Sequence, residues 1–307
     1  MSEILIPVGL VFAVGLIASI ILAYASQVFY IQEDETYLKL RAELPGANCG
    51  GCGYAGCDDY AHALTDDPDG IPCTKCAVGG PSCAEKLAAI LGKSADGMEK
   101  NVAYVMCNGT TNNAQKLFDY ADIPTCKAAK QLFGGSKACP NGCLGLGDCE
   151  AACDFDAIHV IKGVALVNRD KCVSCSACVK ACPNNLIKIV PDKAKIAVRC
   201  HNSEKGADAR KHCSVACIGC GMCQRTCKFD AIHVENNLAT IDHEKCKKCG
   251  MCVVKCPTGA IQDLLHTPEQ LDKIKTSLAA MEAKEAEKKK KAALEAAEAK
   301  KAAAAKA

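Results

Sequence analysis

The sequence has no tryptophan, and only seven tyrosines and six phenylalanines among 307 residues. Large side chains that fill an ordinary core are scarce, in a chain whose length alone would suggest about two domains. Net charge is nearly absent too: 37 basic residues stand against 35 acidic ones. That balance excludes a grossly basic nucleic-acid binder, so no nucleic-acid partner is expected. Charge is missing altogether from Ile4 to Gln32. What the chain has in abundance is cysteine, 26 residues of it. At that density the choices are disulfides, zinc or iron–sulfur clusters.

The uncharged stretch is dominated by Ile, Leu, Val and Ala, and it exceeds the roughly 20 residues that cross a bilayer as a helix. A cleaved signal peptide is the rival, since Ala23-Tyr24-Ala25 resembles a cleavage site. Against it, Met1-Ser2-Glu3 supplies no basic segment, and the apolar run is too long. The sequence therefore predicts a transmembrane anchor. Gly15, Ser19 and Ala23 fall at i, i+4 and i+8, either a seam for a neighbouring helix or small residues facing lipid. Lys39 and Arg41 follow the span while Glu3 precedes it, which points the bulk of the chain into the cytoplasm. The expected location is a single pass through the plasma (cell inner) membrane, with the cysteine-rich part on the cytoplasmic side. Thiols stay reduced there, so disulfides are excluded and metal clusters remain.

Cysteine spacing names the metal. Cys172, Cys175, Cys178 and Cys182-Pro183 follow the bacterial ferredoxin run Cys-x2-Cys-x2-Cys-x3-Cys-Pro, and Cys246, Cys249, Cys252 and Cys256-Pro257 repeat it. Cys217, Cys220, Cys223 and Cys227 form a third copy without the proline. In such runs the first three thiolates hold one cluster and the fourth ligates the neighbouring one. Zinc would use paired Cys-x2-Cys knuckles instead.

An internal repeat sharpens the assignment. Nine cysteines, Cys126 to Cys182, recur 74 positions later as Cys200 to Cys256, and Cys153-Asp-Phe-Asp-Ala-Ile-His-Val matches Cys227-Lys-Phe-Asp-Ala-Ile-His-Val. Residues from about 126 to 262 thus read as two copies of a two-cluster module. The second copy is expected to hold one cluster on Cys217, Cys220, Cys223 and Cys256, and another on Cys227, Cys246, Cys249 and Cys252. The first holds one on Cys153, Cys172, Cys175 and Cys178. Its other cluster has Cys143, Cys149 and Cys182, but Leu146 stands where Cys220 stands in the second copy. Cys139, one helical turn before Cys143, is the nearest candidate for the fourth ligand. A [3Fe-4S] cluster on three thiolates is the competing reading, because ligand count sets cluster type. Short tails after each fourth cysteine (Ala157-Ile158, Leu186-Ile187, Ala231-Ile232, Ala260-Ile261) are expected to form strands packed on the clusters, which then replace the missing aromatic core.

Upstream, Asn48-Cys49-Gly50-Gly51-Cys52-Gly53-Tyr54-Ala55-Gly56-Cys57 gives a Cys-x2-Cys-x4-Cys spacing. Its glycines let the backbone approach a cluster and donate amide hydrogen bonds to its sulfurs. The fourth ligand comes from Cys73, Cys76 or Cys83, and a zinc site is the alternative. Cys107 and Cys126 have no partner assigned. Val105-Met106-Cys107-Asn108 looks like Val198-Arg199-Cys200-His201-Asn202, which competes with the pairing of Cys126 and Cys200. The spare thiols either hold a sixth cluster or are small buried hydrophobes, the latter being the default.

Residues 171 to 255 hold 15 Lys or Arg against 7 Asp or Glu. Most of these lysines offset the negative charge of thiolate-bound clusters, and Lys247 and Lys248 are candidates for steering an acidic soluble ferredoxin. His159 and His233 are repeat equivalents beside apolar residues, expected to pad a strand. Thr267-Pro268-Glu269-Gln270 reads as a helix start with a capping box. The Ala/Glu/Lys tail that follows is a solvated helix or disordered, with Lys288 to Lys291 as a possible contact for anionic lipid.

An apolar N-terminal helix followed by Pro45-Gly46-Ala47-Asn48-Cys49-Gly50-Gly51-Cys52-Gly53-Tyr54-Ala55-Gly56-Cys57 resembles the B subunit family of Rnf-type ion-translocating ferredoxin:NAD oxidoreductases. Cys76-Ala-Val-Gly-Gly is similar to that family's Cys-Ala-Pro-Gly-Gly, so the resemblance selects Cys76 as the fourth N-terminal ligand. It covers residues 1 to about 262. The chain departs from shorter members in having two ferredoxin modules, and in Leu146. The resemblance implies electron transfer between reduced ferredoxin and NAD, coupled to sodium or proton transport. It also implies docking to a flavin- and NADH-handling peripheral subunit and to integral membrane subunits. No dinucleotide-type glycine loop follows a predicted strand, and the uncharged helix offers no ion-binding side chain, so those functions are expected on partner subunits.

The resulting expectation is an α+β assembly of small iron–sulfur modules. A transmembrane anchor (1–32) leads to an N-terminal [4Fe-4S] domain (33–98), a first ferredoxin-like two-cluster module with an N-terminal extension (99–192), a second module (193–264) and the tail (265–307). Five [4Fe-4S] clusters are expected in an electron-transfer subunit with no complete active site of its own. A membrane-tethered sensor or cluster carrier is the alternative.

Overall fold

The computed structural model describes residues 2–28, 34–94, 97 and 99–304, without the side chains of 2–9, 11, 285 and 291–304. Helix α1 (Ser2–Val28) carries exposed Phe12, Ile17, Ile20, Ile21 and Leu22. The Ser19 hydroxyl donates to the Gly15 carbonyl at 2.8 Å, within the helix. Among the described residues no helix is long and apolar enough to cross a membrane. Part of the span expected at Ile4–Gln32, residues 29–32, lies outside them.

Three short helices follow: α2 (Glu35–Glu43), α3 (Cys57–Asp66) and α4 (Gly80–Ile90). Asp34 caps α2 by accepting from the Thr36 N–H, and the Asn48 side chain accepts from Cys57 N–H at 2.8 Å where α3 begins. Tyr37, Leu40, Tyr60, Leu64 and Leu87 pack together with Cys57, Cys73, Cys76 and Cys83. Arg41 and Asp58 tie α2 to α3 through an ion pair.

The next unit runs β1 (Asn101–Val105), α5 (Cys126–Gln131), α6 (Asp148–Ala151), β2 (Ile158–Ile161), β3 (Val164–Val167), α7 (Ala177–Ala181) and β4 (Ile187–Pro191). Strands β1 and β4 pair antiparallel, and β2 and β3 form a hairpin. The unit after it repeats the plan with β5 (Ile196–Val198), α8 (Gly206–His212), α9 (Met222–Thr226), β6 (Ile232–Glu235), β7 (Leu238–Ile241), α10 (Met251–Lys255) and β8 (Ile261–Asp263). Here β5 pairs with β8, and β6 with β7. The expected tails begin strands β2, β4, β6 and β8, and Ile158, Ile187, Ile232 and Ile261 are all buried. Cysteines are interleaved with these small aliphatics in both cores.

Register corrects one expected equivalence. Val105 pairs with Ile187 and Val198 with Ile261, so β5 is the counterpart of β1. Cys107 therefore corresponds to Cys200, and Cys126 has no counterpart. It sits on α5, inside a connection that is 19 residues longer in the first module than in the second.

Helix α11 (Pro268–Ala304) starts with the expected capping box. Thr267 N–H donates to Gln270 Oε1 at 2.8 Å, and Gln270 N–H to Thr267 Oγ1 at 3.4 Å. Leu278 is buried, and Lys255 pairs with Glu282 at 2.5 Å, which fastens the start of the helix to α10.

Candidate iron–sulfur centres

All 26 cysteines are free thiols. Four loops present most of them, and all four share one backbone pattern. Two left-handed residues, two apart, precede a short helix that carries a cysteine: Ser174 and Ser176, Gly219 and Gly221, Lys248 and Gly250, and Gly145 and Gly147. The reversals wrap the loop so that successive cysteines face one point. Serine and lysine in this region cost about 1–3 kcal/mol each, which the surrounding structure must offset. Glycine is obligatory at two equivalent sites. A Cβ on Gly145 would lie 2.5 Å from the Gly163 carbonyl oxygen, and one on Gly219 would lie 2.8 Å from Asn237 Cα. Leu146 thus sits in the loop conformation that presents Cys220 in the second module.

Around these loops open hollows walled by cysteine. Cys217, Cys220, Cys223 and Cys256 line one of about 350 Å³, and Cys153, Cys172, Cys175 and Cys178 line one of about 340 Å³. Cys227, Cys246 and Cys249 are neighbours of Cys252. In each of these cases the structure brings together the four residues expected from the sequence. The hollow at Cys143, Cys149 and Cys182 differs: its fourth cysteine is Cys126, and Cys139 is not part of its wall. The segment from Cys139 to Cys143 is a turn rather than a helix, with Gly142 N–H donating to the Cys139 carbonyl at 3.2 Å, and Cys139 faces elsewhere. Helix α5 is held in place by Asp148 in the Leu146 loop. Its carboxylate accepts from Cys126 N–H at 2.8 Å and from Lys127 N–H at 3.0 Å. Sequence reasoning missed Cys126 because no ferredoxin spacing marks it.

In the N-terminal domain Cys49, Cys52, Cys57 and Cys76 line a hollow of about 370 Å³. Cys73 and Cys83 are buried outside its wall. The hydrogen bond between Cys83 and Cys76 pulls the Cys76 thiol down to about 6, and Gly79 N–H, 3.4 Å from its sulfur, acts in the same direction. The same contact, together with burial, pushes Cys83 up. Cys76 is the member of the pair prepared to be a thiolate.

The sulfurs are dressed with backbone amides. Ala157, Leu186 and Ala260 N–H groups donate to the sulfurs of Cys153, Cys182 and Cys256, each four residues earlier, at 3.3–3.4 Å. Ala103 N–H donates to Cys172 at 3.3 Å. Such bonds stabilise thiolates and tune the potential of a bound cluster. Without a cation the hollows disfavour charge. Burial, reinforced by neighbouring thiols, pushes Cys149 and Cys252 up to about 12 and Cys178 and Cys223 up to about 11. A polynuclear cation reverses that balance by compensating four thiolates at once.

The donor geometry discriminates between metals. Among the described residues no three His, Cys, Asp or Glu side chains converge as a single ion requires. Zinc draws its thiolates to about 2.3 Å from one point. A cubane takes one thiolate per iron, so its four sulfurs stand further apart around a larger hollow. The residues present fit a cubane.

His159 and His233 are not among the residues that wall these hollows. His159 on β2 contacts Glu150 at 3.1 Å, and His233 on β6 approaches Asp230 at 4.0 Å.

Three family models match the chain: a putative Fe-S cluster domain over residues 44–77, a 4Fe-4S dicluster domain over 171–231 and a 4Fe-4S binding domain over 239–262. The dicluster match takes in the second loop of one module and the first loop of the next, crossing the boundary that strand pairing draws. Among curated proteins the chain is 46% identical over 262 residues to the B subunit of the Na+-translocating ferredoxin:NAD+ oxidoreductase complex of Acetobacterium woodii, covering 85% of this chain and 78% of that one. It is 41% identical to the B subunit of the ion-translocating oxidoreductase complex of Methanosarcina acetivorans, over 85% of this chain and 97% of that protein. For the B subunit of the proton-translocating ferredoxin:NAD+ oxidoreductase complex of Clostridium ljungdahlii the identity is 39%, over 87% and 95%. With its cysteine-walled hollows and this extent of identity, the chain belongs to the B subunit family of the ion-translocating ferredoxin:NAD+ oxidoreductase complexes.

Proposed function

We propose that the chain is the membrane-anchored electron-transfer subunit of an ion-translocating oxidoreductase complex. It passes single electrons between reduced ferredoxin and the NAD-handling and membrane subunits, where ion transport takes place. When bound, each cubane supplies one exchangeable electron at biological potentials. The chain's residues do the rest. Four sets of thiolates hold clusters as the sequence suggested: Cys49, Cys52, Cys57 and Cys76; Cys153, Cys172, Cys175 and Cys178; Cys217, Cys220, Cys223 and Cys256; and Cys227, Cys246, Cys249 and Cys252. The fifth set is Cys126, Cys143, Cys149 and Cys182, with Cys126 taking the role first given to Cys139.

The observation that carries this reading is the adjacency of successive sites. Cys49 neighbours Cys175, and a Cβ on Gly51 would lie 3.1 Å from the Cys175 carbonyl. Cys149 neighbours Cys178, and Cys252 neighbours Cys223. Buried thiols in isolated pairs would serve packing alone; sets placed side by side serve conduction. Helix α1 is the anchor in this reading, supported by its lack of charge from Ile4 onward and its exposed aliphatic side chains. Lysines such as exposed Lys247 give a soluble acidic ferredoxin a complementary surface.

The test is to add reduced ferredoxin to membranes containing the complex and follow the cluster signals by low-temperature electron paramagnetic resonance. The proposal expects all the chain's clusters to become reduced and to persist through repeated turnovers. Loss of clusters to an acceptor protein would instead make the chain a carrier.

A further inference from the structure

The connection that lengthens the first ferredoxin module carries more than helix α5. Leu117, Phe118, Leu132 and Phe133 are exposed there, and Phe133 is 89% exposed. Phe118 meets Tyr120 edge-on at 5.1 Å and Phe133 at 6.4 Å, in a chain with only seven tyrosines and six phenylalanines. The second module reaches the same plan without this loop, so the rings are not needed to fill a core.

We propose that this loop docks on the surface of an anionic lipid bilayer, with Phe133 and its apolar neighbours entering the interface and Lys127 and Lys130 meeting the head groups. The proposal rests on the reading of helix α1 as an anchor and goes beyond it, giving the chain a second membrane contact far from α1 in sequence.

The loop is built to hold its shape. Its neck is closed by backbone bonds, with Leu117 N–H donating to the Ser136 carbonyl at 2.8 Å and Ala138 N–H to the Gln115 carbonyl at 2.9 Å. At its centre the Tyr120 hydroxyl accepts from Gly135 N–H at 3.2 Å and shares its proton between the Ala129 and Leu132 carbonyls. Phe133, Gly134 and Gly135 are all left-handed, at φ of 61°, 77° and 110°. Glycine takes that conformation freely, whereas a bulky aromatic there is strained. Strain that leaves a phenylalanine in water, beside other exposed apolar side chains, points to a contact outside the chain.

Charge selects the occupant. On α5 Cys126 and Ala129 are buried, while Lys127 and Lys130 are exposed immediately before Leu132 and Phe133. Neither lysine has a carboxylate partner among the described residues. Lys116 pairs with Asp119, which leaves Asp122 as the loop's one carboxylate without an ion pair among them. Aromatic and leucine side chains flanked by free lysines are the pattern of an interfacial anchor on anionic lipid. A protein partner needs more surface, since stable interfaces use about 20–30 residues on each side. The α1 tether makes a small patch sufficient, because it holds the loop at high effective concentration near the bilayer.

Position gives the contact a use. The helix that leads into the patch begins with Cys126, so docking brings the Cys126, Cys143, Cys149 and Cys182 site to the membrane side of its module. Electrons bound for the membrane subunits then leave from a site held next to them.

The chain has no tryptophan, so Phe133→Trp in the cluster-loaded full-length protein places a single indole at the tip of the loop. The variant is reconstituted in phosphatidylcholine vesicles with and without phosphatidylglycerol. With phosphatidylglycerol present, its emission is expected at a shorter wavelength than that of an exposed indole and is quenched by lipids brominated on their acyl chains. Both effects should shrink without phosphatidylglycerol, or when Lys127→Gln/Lys130→Gln is added. Energy loss to the clusters is common to every arm and cancels. Leu117→Trp is a second reporter should the first disturb the turn. Exposed-type emission untouched by brominated lipid, in chains that stay in the vesicles through an alkaline wash, would overturn the contact and leave the anchor intact. Release by the wash would overturn the anchor and this inference with it. Burial that appears only with the other subunits present would assign the patch to a protein interface and refute the lipid contact. Equal quenching in phosphatidylcholine alone would refute the selection of anionic lipid.

Discussion

The two ferredoxin modules bend their first cluster loop in the same way and fill it differently. Gly145 and Gly147 repeat the left-handed turns of Gly219 and Gly221, yet the side chain between them is Leu146 in one and Cys220 in the other. The first module makes up the loss from a distance, with Cys126 on a helix inside a 19-residue longer connection and Asp148 pinning that helix to the loop. What is kept between the copies is the backbone path and the number of thiols around the hollow. The source of the fourth thiol is free to move.

The largest expected effect would break the comparison altogether. Chelating iron from the anaerobic protein removes the common core of both modules, whose buried residues are mostly small aliphatics and cysteine. Their cooperative unfolding stability, of the usual order of about 5–15 kcal/mol, is expected to vanish together. Circular dichroism and amide exchange check this, with residual protection expected around α2, α3 and α4, where Leu40, Leu64 and Leu87 remain.

The next effect sharpens it. Cys126→Ala and Cys220→Ala should each empty one hollow, losing about four irons, or about one where a three-iron cluster survives. Adding Leu146→Cys to Cys126→Ala is expected to restore the iron, because the loop already has the conformation that presents Cys220. No restoration would show that the loops differ in more than one side chain.

Smaller effects follow from the backbone. Gly145→Ala and Gly219→Ala should each destabilise by about 1–3 kcal/mol in chemical denaturation, since both combine a left-handed φ with a close backbone neighbour. Asp148→Ala should cost about 1–2 kcal/mol by freeing the start of α5, and only in the first module. The least effect is expected at Cys73. Its replacement by alanine should leave iron content unchanged, whereas Cys76→Ala should remove about four irons.

Much of this arrangement was legible in the sequence where one short segment does one job. Ferredoxin spacing, the 74-residue period, the strands opened by Ala157-Ile158 and its equivalents, and the Thr267 capping box all act locally. The role of Cys126 was hidden because its partners lie seventeen or more residues away and its own neighbourhood has no ligand spacing. The equivalence of Cys107 and Cys200 was hidden by the same insertion, which shifts the period from 74 to 93 between β1 and β5. The likeness of Val105-Met106-Cys107-Asn108 to Val198-Arg199-Cys200-His201-Asn202 was the available signal, and strand register decides in its favour. The helical state of the tail follows from its Ala, Glu and Lys content, all strong helix formers.

The central claim is that iron–sulfur centres stand in sequence along the chain, each within reach of the next. Anomalous diffraction at the iron edge from crystals of the anaerobic protein tests it most directly. The account predicts an iron peak at each of the five cysteine-walled sites, those of Cys49, Cys126, Cys153, Cys217 and Cys227. A site without iron, or zinc in place of iron, would contradict it.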